Sequence, residues 1–183
     1  LNAGEQGQDD ALTEDFTIRR FAERDATAIR DLFIRVNRGL APPGMEAAFE
    51  SYIERSLREE IDRLANYYHE AGGAFFVAER DGIISGMFGL ETIAPVSVEL
   101  RRMYVDPDLR GMGLGRRLLA AAEREARTLG GTVLILSTSE LQPAALGVYR
   151  SSGYTEVREA IAEIASNKTL GGGLRRFHFS KQL

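Results

Sequence analysis

At 183 residues with a formal net charge of −4, the chain has the size of one domain that can bury a core, and its charge opposes broad binding to nucleic acid or anionic membranes. Apolar residues make up 44% and charged residues 27%, near globular averages, and no apolar run approaches the roughly 18 residues that cross a bilayer. The absence of cysteine removes disulfides, thiolate metal sites and cysteine acyl-enzymes, and two histidines, His69 and His178, are too few for a histidine-rich metal centre, so no metal is expected.

The first residues, Leu1 to Asp15, are polar and acidic and read as a loose tail rather than a signal peptide, leaving 16–183 as the expected domain. Phe16 to Phe21 reads as a strand, and Asp25 as the N-cap of a helix carrying Ile29, Leu32, Phe33 and Val36 at helical spacing. After the Gly39 to Gly44 break, Phe49, Tyr52, Ile53, Leu57, Ile61, Leu64 and Tyr68 mark one face of a single long helix that stops at Gly72-Gly73. Phe75 to Arg80 and Ile83 to Leu90 form a hairpin, because Asp81-Gly82 suits the positive-φ positions of a type I′ turn.

Val96 to Val105 is a third extended run, closed by Asp106-Pro107-Asp108. A helix follows from near Gly113 to Gly130-Gly131, then a buried strand over Val133 to Leu136, which together make a strand, helix, strand crossover. Pro143 opens a short helix to about Ser152, and Tyr154 to Val157 and Leu174 to Phe179 are the last strands. Ala160 to Gly173, with three glycines at its end, reads as a mobile connection.

The chemistry concentrates at Arg110-Gly111-Met112-Gly113-Leu114-Gly115, between a strand and a helix. Glycines there leave backbone N–H groups free to face an anion, and the helix N-terminus adds its positive end, so phosphate is the expected ligand. The spacing is not that of a dinucleotide fingerprint, since position 116 is Arg, and no Gly-Lys-Ser/Thr completes a nucleotide-binding P-loop. The remaining pattern, Arg-x-x-Gly-x-Gly, resembles the pyrophosphate loop of the Gcn5-related N-acetyltransferases. The element order from strand one onward is similar to theirs, as are Leu100-Arg101-Arg102-Met103-Tyr104-Val105 and Ala145-x-x-Val148-Tyr149-x-x-x-Gly153-Tyr154. Tyr52-Ile53, Phe76-Val77-Ala78 and Thr138 to Gln142 look like the camello-type members, although Ser137 departs from the glutamate common there.

That resemblance implies a mixed α/β fold, a mainly antiparallel sheet with helices on both faces, and acetyl-coenzyme A as co-substrate. It implies that Gly111 to Gly115, with Arg110 and Arg116, hold the pyrophosphate. Met103, Tyr104 and Val105 would pair through their backbone with the pantetheine arm, the Val105 N–H serving as oxyanion donor, and Gln142 would contact the same arm. Tyr149 stands where the family often has the tyrosine that protonates the departing thiolate. Glu99, four residues before Met103, stands at the position of a catalytic glutamate, and strand alternation places Glu99, Arg101 and Met103 on one face. An ion pair between Glu99 and Arg101, or water-relayed deprotonation, are the alternatives. His69 and His178 are read as structural or exposed.

The expected protein is a cytoplasmic N-acetyltransferase that transfers acetyl directly to a primary amine, small molecule or peptide; a cationic or amine-bearing acceptor suits the net charge. The rival from another class is a non-catalytic acyl-coenzyme A sensor. Neither nucleic acid nor membrane is expected as partner. Relatives are often homodimers, and the assembly stays open.

Overall fold

The computed structural model describes residues 16–183, so the expected N-terminal tail lies outside the described residues. Seven strands form one sheet in the order β1-β2-β3-β4-β5-β7-β6. They are β1 (Thr17–Arg20), β2 (Ala74–Arg80), β3 (Ile83–Ala94), β4 (Ser97–Val105), β5 (Val133–Ser139), β6 (Thr155–Ala162) and β7 (Leu174–Gln182). Every pairing is antiparallel except β4 with β5, where the helical crossover forces the strands parallel. The helices are α1 (Ala26–Leu40), α2 (Glu46–Glu59), α3 (Leu64–Glu70), α4 (Leu114–Thr128) and α5 (Pro143–Ser151).

Helices cover both faces, as the mixed fold requires. On one side α1, α2 and α3 pack Ile29, Phe33, Ile53 and Leu64 against Phe75, Val77 and Met87. On the other, α4 places Leu118, Leu119 and Ala122 against Phe88, Leu100 and Leu134. The hairpin turn is as expected, with Asp81 at φ 53° and Gly82 at φ 77°. Gly89 is needed for close approach: a Cβ there would lie 2.1 Å from the Tyr68 hydroxyl.

Three expectations are corrected. The single helix from Phe49 to Tyr68 is two helices, α2 and α3, interrupted by Glu60 and a 3-10 turn over Ile61–Arg63. Glu60 is 0% exposed, and its backbone leaves the helical region (φ −140°, ψ −61°) as its carboxylate turns under the sheet toward two arginines of β4. Asp25 stands at the N-cap of α1, but its carboxylate caps no N–H of that helix; it accepts from both Arg19 terminal nitrogens, at 2.6 and 2.9 Å, and from the Ala22 N–H at the preceding 3-10 turn at 2.8 Å. The connection after β6 is shorter than expected and is tied down: β6 continues to Ala162, Ser166 pairs with Thr169, and the Asn167 carbonyl accepts from Arg102 at 2.6 Å.

Candidate active site

The site begins where β4 and β5 separate. Their pairing runs from Ser97 opposite Val133 to Leu100 opposite Leu136 and ends there, while β4 continues to Val105 against β3 alone. Divergence exposes one backbone edge of Met103, Tyr104 and Val105, and an unpaired strand edge is a template for another extended chain. Asp106 N–H donates to Ser85 on the β3 side at 2.8 Å; because N–H directions alternate along a strand, the Val105 N–H is directed into the opening.

A bulge disturbs β4 just before this edge. Met87 faces Tyr104 and Gly89 faces Arg101, so Phe88 of β3 is opposed by two residues, Arg102 and Met103, and Arg102 sits at φ 53°. The extra residue breaks the alternation. Glu99 and Arg101 face the α2 side with Arg102, whereas Met103 packs with the α4-side core, so the expectation that Glu99, Arg101 and Met103 share a face is wrong by that one residue.

Both arginines converge on Glu60. Arg101 donates to Glu60 at 2.9 Å, and Arg102 donates at 2.7 and 3.1 Å and to the Tyr52 hydroxyl at 2.6 Å. Arg101 also pairs with Glu91 and the Tyr67 hydroxyl. Burial pushes the Glu60 carboxyl up, but Arg102 and Arg101 more than offset it, so it lies below its ordinary value. Glu99 contacts neither arginine and joins this network only through Lys168. It accepts from Lys168 Nζ at 2.6 Å, which replaces the expected pair with Arg101, and the same ammonium lies 3.5 Å from Glu91.

The glycine loop closes the far end of the opening. Gly111 (φ 82°) and Gly113 (φ 84°) adopt the left-handed conformation, and Gly113 is the N-cap of α4. The first N–H donors received by the Gly113 carbonyl are those of Arg116 and Arg117, so the preceding N–H groups have no place in the helix ladder. Leu114 sends its side chain into the core and Met112 is half-buried, leaving backbone for a ligand. Arg110 is exposed and in no ion pair among the described residues; Arg116 donates to Ser151 at 3.2 Å, linking α4 to α5.

Two spaces meet along β4. A cleft of about 820 Å³ runs from Met103 to Val105 past Arg110 to Arg116, and a smaller cavity of about 110 Å³ is lined by Glu99, Tyr149, Lys168 and Arg176. Met103, Tyr104, Gln142 and Ala145 line both. The Gln142 carbonyl oxygen accepts from Thr138 at 2.6 Å, which orients the amide and leaves its NH₂ as a donor. Tyr149 is buried between Tyr154 and Phe179, with ring centroids 6.0 and 5.8 Å away, and burial raises its phenol above the ordinary range. His69 is exposed, and His178, held below its ordinary pKa by burial and by Arg158, contacts Arg158 at 3.2 Å rather than lining either space. Glu60, Glu91, Lys168 and Arg176 were missed in sequence. Glu60 alone left a trace, falling four residues after Ser56 on the apolar stripe of its helix.

No cluster of three or more potential metal ligands occurs, and no helix is long and apolar enough to cross a membrane, among the described residues. The model of the acetyltransferase (GNAT) family matches residues 42–154. Human N-acetyltransferase 8B is 28% identical over 119 residues, 62% of this chain and 52% of that protein, so the chain spans about half the length of this curated relative; the likeness agrees with the camello-type strings. The acetyltransferase YncA from Salmonella typhimurium, solved with acetyl-CoA, superposes with a TM-score of 0.69 at 23% identity, covering 92% of this chain and 94% of that one. Spermidine N-acetyltransferase from Vibrio cholerae, solved with CoA and spermine, gives 0.67 at 20% identity, covering 92% and 96%. A strand edge opening beside a glycine-capped helix, in a sheet of this topology and with a family match over more than half its length, shows that the chain belongs to the GNAT acetyltransferase family.

Proposed function

We propose that this domain binds acetyl-coenzyme A along the β4 edge and transfers the acetyl group directly to a primary amine that enters the smaller cavity. The observation that carries this reading is the continuity of the unpaired β4 edge with the α4 N-terminus: an extended arm adds to the edge while its diphosphate lies on the free N–H groups at Gly113 to Gly115. Arg110 and Arg116 supply charge at the rim, and the Gln142 NH₂ donates to the arm. No lysine stands in the glycine loop, which counts against a nucleoside triphosphate as the ligand.

In the transfer, the neutral amine nitrogen attacks the thioester carbonyl carbon, and the Val105 N–H stabilises the oxyanion that forms. Glu99, the carboxylate lining the smaller cavity, takes the amine proton directly or through water. The C–S bond then breaks and the thiolate leaves toward Tyr149. Burial makes the Tyr149 phenol a weaker acid than free tyrosine, so it serves the leaving sulfur mainly by donating a hydrogen bond. Without cysteine, a covalent route through a thiol is closed.

The experiment is calorimetric titration with acetyl-coenzyme A and, separately, ATP, followed by thiol release with a panel of amines. Saturable binding of acetyl-coenzyme A alone, with turnover of at least one amine, is expected. Binding without turnover on a broad panel replaces the transferase reading with that of an acyl-coenzyme A sensor, and equal binding of ATP refutes the cleft assignment.

A further inference from the structure

We propose that the acceptor carries a carboxylate as well as its amine, and that Arg176 binds this carboxylate at the floor of the smaller cavity; the proposal rests on the reading of that cavity as the acceptor site. Arg176 lies on β7 opposite Ser139 of β5 and Ala160 of β6, and it lines the cavity together with Glu99 and Tyr149. Its hydrogen-bond partner is neutral: Nη2 donates to the Ser137 hydroxyl at 2.7 Å.

Counting charges around this space shows why that matters. Arg101 is matched by Glu60 and Glu91, Arg102 by Glu60, and Lys168 by Glu99 and Glu91. Arg176 is in no ion pair among the described residues. Four cations therefore share three carboxylates, and the excess positive charge rests on Arg176. Burial, the largest influence, lowers its pKa, while Tyr52, Tyr104 and Glu99 oppose that shift and Arg102 adds to it. A half-buried guanidinium without an anion is an arrangement that a bound carboxylate improves.

The donor geometry selects the ligand further. One of five guanidinium N–H groups is used on Ser137, and the planar fork that remains suits two-point capture of a carboxylate. The amine of the same molecule is then directed to Glu99, which lines the same cavity. A polyamine would bring additional positive charge to a cavity that already has an excess, so the local charge of the cavity, rather than the chain's overall −4, is the guide to the acceptor. An α-amino acid, or a small amino-carboxylate of similar span, satisfies both ends.

The test compares the twenty α-amino acids with their α-carboxamides and with spermidine in the thiol-release assay. The carboxamides keep the side chain and have the less basic, more readily deprotonated amine, so a preference for the acids cannot come from amine reactivity. The acids that turn over are expected to exceed their carboxamides about 10- to 100-fold in kcat/KM. Arg176→Gln should erase that gap by raising KM for the acid, with KM for the carboxamide unmoved and Tm equal to or above wild type; Arg176→Lys should recover part of it. A purely structural arginine would instead lower Tm and weaken both series. Equal turnover of acids, carboxamides and spermidine, or an unchanged acid KM in Arg176→Gln, overturns the proposal. Should acetyl-coenzyme A bind and no amine turn over, the transfer reading fails by itself. Calorimetry with N-acetyl amino acids and their carboxamides, in the presence of coenzyme A, then decides the subsite: tighter binding of the acids that is lost in Arg176→Gln supports it, and equal or absent binding of both overturns it.

Discussion

Replacing Gly115 with glutamate should separate donor binding from folding. Gly115 is the second residue of α4, one position past Leu114, and a Cβ built there meets only Val105 Cγ2, at 3.9 Å, so the larger side chain has room. Its carboxylate would sit among the free N–H groups at the helix start, where a negative charge is favourable by roughly 0.3–1 kcal/mol, and leaving glycine adds about 0.5 kcal/mol of helix propensity. For a chain of this size, about 1 kcal/mol corresponds to a Tm rise of roughly 2–4 °C. The same carboxylate occupies the position proposed for the diphosphate. Two charge-assisted hydrogen bonds lost at about 1.5–3 kcal/mol each predict a Kd for acetyl-coenzyme A weaker by about 10²–10⁴-fold. Gly113→Val would be a poorer choice, because Gly113 stands at φ 84°, where a β-branched residue is strained whatever binds there. Scanning calorimetry and titration calorimetry on the one variant give both numbers. A folded Gly115→Glu protein with a Kd within threefold of wild type would refute the phosphate cradle.

Three more outcomes are expected. Tyr149→Phe should lower kcat by about 10²-fold at unchanged donor Kd and Tm, since the hydroxyl has no hydrogen-bond partner among the described residues; full turnover would remove Tyr149 from the mechanism. Glu60→Gln leaves Arg101 and Arg102 short of a buried counter-charge and should cost about 3–5 kcal/mol, read as a drop in the denaturation midpoint; a loss below about 1 kcal/mol would show that the arginines find water or other partners. Arg19 holds the Asp25 carboxyl below its ordinary value, so Asp25 adds stability above its unfolded pKa of about 4 and loses it as pH falls through the lower folded value; Asp25→Asn should flatten the denaturation midpoint between about pH 5 and 3, and an identical acid slope in variant and wild type would exclude that contribution.

Sequence by itself determined the order of elements, because each rests on constraints a few residues long. The positive-φ turn at Asp81-Gly82, the helical stripe from Ile29 to Val36 and the glycine pair that opens α4 are local, and the structure reproduces them. Met103 to Val105 and Arg110 to Arg116 line one large cleft, since they are contiguous on β4 and the loop after it, and Gln142 joins them from the start of α5, whereas Tyr149 lines only the smaller cavity.

Tertiary structure alone decided the charge pattern of the smaller cavity. Glu60 meets Arg101 across 41 positions and Lys168 meets Glu99 across 69, and no periodicity encodes partners so far apart. The bulge at Arg102 is of the same kind: one extra residue on β4 turns a second arginine toward Glu60 and sends Met103 to the opposite face, overriding the two-residue alternation of the strand. Pairing of the buried Glu60 with Arg101 and Arg102 accompanies the break in the helix at Glu60, and the connection after β6 is fastened by Arg102 donating to the Asn167 carbonyl and by the half-exposed Lys168 pairing with Glu99. The apolar pattern placed the sheet and helices; the ionic pairings, satisfied only once the sheet had assembled, shaped the space between them.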